Sequence, residues 1–315
     1  MDFESYSSFW NQQASTDEGA LAAVDGSASE EIVRLTGGWT ADQVRLALAL
    51  DGRQRVLELG CGVGRIGREL AGDCRSWVGT DISANMLEVA RERLADLDNV
   101  SFQPLHRTSL DMFESASFDR VYTVAVLCHM DKEDLFLYLQ ELRRLLNEDG
   151  IAYLETWNLA HPMGWKRWQF EVNNWKRSDQ SQRKNVARNQ FCTPDEFELY
   201  VREAGFQVVR SWADSPWIQV IAVPAGAGSQ VAAQQERIDP VSQRIAYSRQ
   251  WGELFGQLLD VIYGLRAPGD LLAALDQMPA HEEVALYRAY LVALWRQGQA
   301  HWGALPPEVE AEVSG

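Results

Sequence analysis

The stretch RVLELGCGVGRIGREL, Arg55 to Leu70, constrains the fold more than any other part of the chain. A short apolar run ends in a loop carrying Gly60, Gly62, Gly64 and Gly67, and a helical pattern follows at once. A buried strand that passes into a helix through so bare a loop opens a parallel α/β unit, and the missing side chains let a ligand lie against the backbone. The pattern then repeats. WVGTD reads as a second strand, followed by SANMLEVARERLADL as a helix with Ser83 at its N-cap. VSFQPL and FDRVYTVAVL supply the third and fourth strands, EDLFLYLQELRRLL an amphipathic helix, and GIAYLETW a fifth strand. TPDEFELYVREAG opens with Thr193 as N-cap, Pro194 in the first turn and Glu196 three residues after the cap, and Gly205 closes it. FQVVRSW and WIQVIAV, joined tightly through ADSP, read as a final antiparallel hairpin. The expected fold is α/β, doubly wound, with a seven-stranded and mostly parallel sheet.

Residues 1–50 read as an acidic helical cap with ALAAV and ADQVRLALAL as apolar faces. PAGAGSQVAAQQ, Pro224 to Gln235, is small and polar, so a boundary is expected there, with an α/β domain at 1–224 and an all-helical extension of two or three helices at 225–315. In the extension Trp251, Leu254, Phe255, Leu258, Leu259 and Ile262 recur at helical spacing, as do Val284, Tyr287, Leu291 and Leu294. It reads either as an extra pocket wall or as a homodimer contact through the Trp251 and Tyr287 faces. A formal charge of −16 argues against nucleic-acid or anionic-membrane partners and leaves a small molecule as the expected one. Cys61, Cys74, Cys128 and Cys192 show neither C-x-x-C nor zinc-type spacing, so no metal is expected and the thiols read as reduced. The start lacks a signal-peptide pattern and no apolar run reaches the roughly 18 residues of a membrane span, which makes a cytoplasmic location the expectation.

Two glycine patterns overlap in the opening loop. Gly62, Gly64 and Gly67 satisfy the G-x-G-x-x-G of a dinucleotide site, and Gly60, Gly62 and Gly64 satisfy G-x-G-x-G. Both call for an acid at the end of the second strand, and Asp81 stands there to accept both ribose hydroxyl hydrogens. Glu58 separates the readings, because a carboxylate two residues before the first glycine repels a pyrophosphate held at a helix N-terminus but attracts a nucleoside bearing a sulfonium and an ammonium. In ELGCGVG, with VGTDISANML, FDRVYTVAVLCHM and LLNEDGIAYLET, the chain resembles the class I S-adenosylmethionine-dependent methyltransferases from about Arg55 to Val223, in the family's order. The resemblance implies a Rossmann-like transferase domain, S-adenosyl-L-methionine as cofactor and S-adenosyl-L-homocysteine as product. It also implies that Gly60, Gly62 and Gly64 lie under the methionine and ribose, with Glu58 behind them. Asp81 takes the ribose diol, with Ile82 and Met86 near the adenine and Val126 along the cofactor. Where the family often has an aspartate for the adenine amino group, this chain has His106 and Arg107, so that end is held either by these residues or by backbone alone. An NAD(P)-dependent oxidoreductase using the same loop is the rival from another class.

Methyl transfer needs an aligned nucleophile and a dry site, with a base only for a poorly ionised hydroxyl or a protonated amine. The candidates are His129 at the end of the fourth strand, Glu155 at the end of the fifth and His161 beyond it, with Trp157 beside Glu155 expected to contact the substrate. Each histidine and the glutamate also has a structural reading, as a turn residue, an exposed loop residue or a satisfied carboxylate. Residues 158–190 hold Trp165, Trp168, Phe170 and Trp175 together with seven cations against Glu171 and Asp179. The family commonly places a lid here. Trp165, Lys166, Arg167 and Trp168 are then expected to clamp an anionic acceptor, and the alternative is that they anchor the segment and pair with acidic regions. The expected activity is methyl transfer to oxygen or nitrogen of a small or medium-sized metabolite, anionic or glycan-linked. A protein methyltransferase acting on a lysine or an N-terminus is the second reading.

Overall fold

The computed structural model describes residues 3–180, 189–226 and 228–314. Its sheet has seven strands: β1 (Arg55–Leu59), β2 (Ser76–Asp81), β3 (Val100–Pro104), β4 (Phe118–Thr123), β5 (Leu146–Trp157), β6 (Phe206–Trp212) and β7 (Trp217–Pro224), in the order β3-β2-β1-β4-β5-β7-β6. Neighbouring strands are parallel except at β7, which runs antiparallel to both β5 and β6. The chain winds one way from β1 to β3 and the other way from β4 onward. The loops after β1 and β4 therefore diverge and leave a crevice at the carboxyl ends of the central strands.

The period-two alternation of β1 sets the two layers. Val56 points to the side covered by α3 (Glu30–Leu48), while Leu57 and Leu59 point to the side covered by α6 (Lys132–Leu145) and α8 (Pro194–Glu203). Before β1 run α1 (Phe3–Gln13), α2 (Asp17–Asp25) and α3. A short α4 (Gly67–Leu70) follows the glycine loop, α5 (Ala84–Arg93) links β2 to β3, and α7 (Pro162–Arg177) follows β5. The expected caps form: Ser83 Oγ accepts from the Met86 amide at 3.1 Å and Thr193 Oγ1 from the Glu196 amide at 3.3 Å. The fourth strand is shorter than its apolar run. It stops at Thr123, because Ala125 turns into the left-handed region at φ +57° and Leu127–His129 curls into a single 3-10 turn.

The segment Pro224–Gln235 is not an open linker. It holds most of α9 (Gly228–Ile238), whose Ile238 is fully buried in the α3-side core and whose Arg237 donates to the carbonyls of Leu46 and Ala47 at 2.6 and 2.7 Å. The extension has more helices than its patterns suggest: α10 (Ser242–Ile245), α11 (Arg249–Ile262), α12 (Pro268–Asp276), α13 (Glu282–Gln297), α14 (Gln299–Trp302) and α15 (Pro307–Ser314). Trp251 and Tyr287, for which a pocket wall and a contact with a second copy are the two readings, face each other. Both are buried, with ring centroids 5.9 Å apart, so those faces form the extension's own core. Cys61, Cys74, Cys128 and Cys192 are buried and free, and among the described residues no cluster suits a metal ion and no helix is long and apolar enough to cross a membrane.

Candidate functional site

A cleft of about 1080 Å³, its mouth included, opens at the carboxyl ends of β1, β2 and β4. Gly60 and Gly62 form its floor, Asp81, Ile82 and Met86 one side, and Val124, Ala125, Val126 and His129 the other. The floor has to be bare. At Gly60, φ +73°, a Cβ would sit 2.4 Å from a Val126 methyl, and at Gly62, φ +52°, it would sit 2.7 Å from Val24. Any other residue would be strained and would fill the cradle. Gly64 differs: it backs onto Leu94 and Ala90 rather than lining the cleft.

Two buried carboxylates stand under this floor. Glu58 accepts a hydrogen bond from Tyr122 Oη at 2.6 Å, and Tyr122 in turn accepts from Trp77 Nε1 at 3.0 Å. Burial pushes the Glu58 carboxyl up to about 8, opposed by the Tyr122 bond and by the charge of Arg65. Burial also raises Asp81, against the pull of the Ser83, Gly62 and Ile82 amides. One Asp81 oxygen accepts from Ser83 N and the other from Gly62 N, both at 2.8 Å. The carboxylate is thus held rigidly by the loop, and its two oxygens keep lone-pair capacity beyond these bonds. A cradle that a Cβ would fill, an acid positioned for a diol and an acid set for a cation together fit S-adenosylmethionine.

The roof comes from the N-terminal helices. Phe3, Tyr6 and Trp10 of α1 and Val24 of α2 line the cleft, and Trp10 meets His129 edge-on at 5.1 Å. Polar contacts fasten α1. Tyr6 Oη accepts from Asp131 N at 2.7 Å, Ser7 Oγ donates to Ile82 O at 3.2 Å, and Asn11 Oδ1 accepts from Ser83 Oγ at 2.9 Å. The far end of the cleft departs from expectation. His106 and Arg107 are exposed outside it, His106 beside a shallow groove next to α1 and Arg107 paired with Asp111. Thr108 and Asp134 line the cleft there instead, with Thr108 Oγ1 donating to Asp134 Oδ1 at 3.0 Å. Asp134 sits in the first turn of α6, where the sequence shows only a common acidic helix start, so no spacing marks it.

The remaining predicted residues lie elsewhere. Glu155, 1% exposed, accepts from Tyr247 at 3.1 Å and Tyr153 at 3.3 Å and is raised to about 7 by burial. It ties β5 to the extension and does not line the cleft. Trp157 is buried and stacks on Trp217 at 4.3 Å. His161 caps α7, its Nδ1 accepting from Met163 N at 3.2 Å, and burial lowers its pKa. Lys166 pairs with Asp260, and Arg167 pairs with buried Glu171 at 3.0 Å and bonds Tyr263. Trp165 and Trp168 stack on each other at 4.9 Å on the exposed face of α7. Arg183, Lys184 and Arg188 fall outside the described residues. Of the expected set, Glu58, Gly60, Gly62, Asp81, Ile82, Met86, Val126 and His129 converge on one cleft.

A family model described as a methyltransferase domain matches residues 56–150, which holds β1 to the start of β5. Phosphoethanolamine N-methyltransferase 1 of Caenorhabditis elegans is 28% identical over 149 residues, 47% of this chain and 30% of that protein. The 18S rRNA (guanine-N(7))-methyltransferase RID2 of Arabidopsis thaliana is 50% identical over 54 residues, 17% of this chain and 19% of that one. The matches to the curated relatives thus span less than half of those proteins' length. A solved complex from Haloferax volcanii, a putative methyltransferase with the Trm112 methyltransferase activator, superposes with a TM-score of 0.50 at 18% identity, covering 66% of this chain and 98% of that one. At that identity the likeness is one of fold.

Proposed function

Because the chain belongs to the class I S-adenosylmethionine-dependent methyltransferases, we propose that it transfers a methyl group to an oxygen or nitrogen of a small or medium-sized metabolite. The observation that carries the choice of acceptor size is the roof. Phe3, Tyr6 and Trp10 close over the glycine floor, which suits a compact acceptor better than a polypeptide segment. The relatives' own acceptors, a phosphorylated amine and an RNA base by their names, are too different from each other to decide it.

When bound, the cofactor supplies a methyl already activated on a sulfonium, so the protein's task is placement and dehydration. Gly60 and Gly62 admit the nucleoside to the backbone, and Asp81 takes the ribose diol. Burial favours the neutral form of Glu58, and a cationic ligand above it would draw the carboxyl back toward its charged form. Asp134, not His106, is the group we assign to the adenine amino hydrogens, since it carries an acceptor oxygen on the cleft wall. The apolar side chains of Met86, Val126 and Trp10 exclude water. His129, on the wall under Trp10, is the one imidazole placed to take a proton from an acceptor.

Titration calorimetry tests the reading. Tight S-adenosylhomocysteine binding with no response to NADH is expected, and the opposite result removes it. Radiolabelled methyl appearing in the small-molecule rather than the macromolecular fraction of an extract is the expected outcome for acceptor size. Label confined to protein would favour a lysine or N-terminal acceptor.

A further inference from the structure

Arg65 directly follows the glycine loop and is the one lysine or arginine lining the cleft among the described residues. Its Nη1 donates to Thr40 Oγ1 at 3.3 Å, and no carboxylate among the described residues lies within ion-pair distance. Its charge does reach Glu58 and Glu155, lowering both, but neither approaches the guanidinium closely enough to occupy it. Most of a five-donor fork is therefore left open in a partly buried site, in a chain of net charge −16 where acids are plentiful. Two of the four cations of α7 are different, since Lys166 and Arg167 are already engaged by Asp260 and Glu171. A guanidinium fork matches a carboxylate in planar, two-point fashion, and burial strengthens the pair.

We propose that Arg65 is the anion-recognition residue of the cleft, gripping a ligand carboxylate through its open fork. The inference rests on the methyltransferase reading, and the carboxylate belongs either to the amino-acid end of the cofactor or to the acceptor. A carboxylate there faces Thr40 of α3 and meets the repulsion of any charge on Glu58 and Glu155, which the guanidinium has to offset.

The test is calorimetry on the full chain, wild type, Arg65→Gln and Arg65→Lys, with S-adenosylhomocysteine and with 5′-methylthioadenosine, which keeps the nucleoside and sulfur but has no carboxylate. Malonate, against chloride at matched ionic strength, is added to protein saturated with S-adenosylhomocysteine, and the melting temperature is read. Arg65→Gln is expected to lose at least tenfold in S-adenosylhomocysteine affinity with 5′-methylthioadenosine unchanged if the cofactor supplies the carboxylate. It is expected to keep both affinities but lose the stabilisation by malonate if the acceptor supplies it. Arg65→Lys, which keeps charge without the fork, should fall between. Equal loss of both nucleosides, or no change in any readout, overturns the proposal. Failure of the wild type to bind S-adenosylhomocysteine would instead strike at the methyltransferase reading.

Discussion

The cleft and the α7 helix both carry aromatic rings beside charged groups, yet their charges have opposite fates. On α7, Lys166 is taken by Asp260 of α11, and Arg167 by Glu171 and Tyr263, while Phe170 stacks on Tyr263 at 4.2 Å. In the cleft, Asp81 has lone pairs to spare and Arg65 has open donors. By composition the α7 segment is the more conspicuous of the two. What distinguishes a recognition surface here is unspent hydrogen-bonding capacity beside a cavity, and a density of cations or tryptophans does not reveal it.

The largest expected effect that could break this contrast is at Asp81. Asp81→Ala would remove the two charge-assisted bonds proposed to the ribose diol and should weaken S-adenosylhomocysteine binding well over tenfold by calorimetry, about 2–3 kcal/mol. Unchanged affinity would mean that the spare lone pairs face nothing. Next is Glu58→Gln, which keeps an acceptor for Tyr122 but cannot take on the charge that a cationic ligand would draw out. S-adenosylmethionine, with its extra positive charge, should lose about tenfold and S-adenosylhomocysteine clearly less. The same variant has a pH signature. Glu58 sits near 8 in the fold against an ordinary 4.5, so the folded state holds the extra proton between those values and stability falls as pH rises through that window. Glu58→Gln should lose that slope and be about 1–3 kcal/mol more stable than the wild type above pH 8 by chemical denaturation. Glu155, raised to about 7, adds a similar decline over a narrower range, which stays in the variant.

On the α7 side, Arg167→Gln leaves buried Glu171 short of its cation. It should cost about 1–2 kcal/mol of stability and leave S-adenosylhomocysteine affinity unchanged. An unaltered melting point with a raised acceptor KM would restore a lid role to the segment and blur the comparison. Smallest is Asp134→Ala, which on the proposed assignment would forfeit one hydrogen bond to the adenine and should weaken nucleoside binding about fivefold. A larger loss for His106→Ala than for Asp134→Ala would return the adenine end to the loop after β3.

The parts of the site readable from sequence are those encoded by local backbone demands. The strand–loop–helix of Arg55–Leu70 needs bare positions at Gly60 and Gly62, and Asp81 follows from the length of β2. The caps at Ser83 and Thr193 are equally local. The roof was not readable, because Phe3, Tyr6 and Trp10 form an ordinary apolar helix face whose target is chosen by packing across the chain. Asp134 was hidden for the same reason: its role depends on where α6 starts in space. The polar run at Pro224–Gln235 misled in the other direction. Its small residues match a linker, but Ile238 just beyond them finds a buried site and orders the helix. Lys166 and Arg167 show how a charge count says nothing of partners some 90 residues away.

The fastening of α1 has a kinetic consequence. The helix is pinned to the loop after β4, to the end of β2 and to the start of α5 by hydrogen bonds of Tyr6, Ser7 and Asn11 to Asp131, Ile82, Ser83 and Asn85. At about 1 kcal/mol each, such bonds make a latch of a few kcal/mol. On the proposed function, departure of the spent nucleoside past the aromatic rim would be coupled to springing it, and substitutions at Tyr6, Ser7 or Asn11 would then alter how long product dwells without touching a single atom of the glycine cradle.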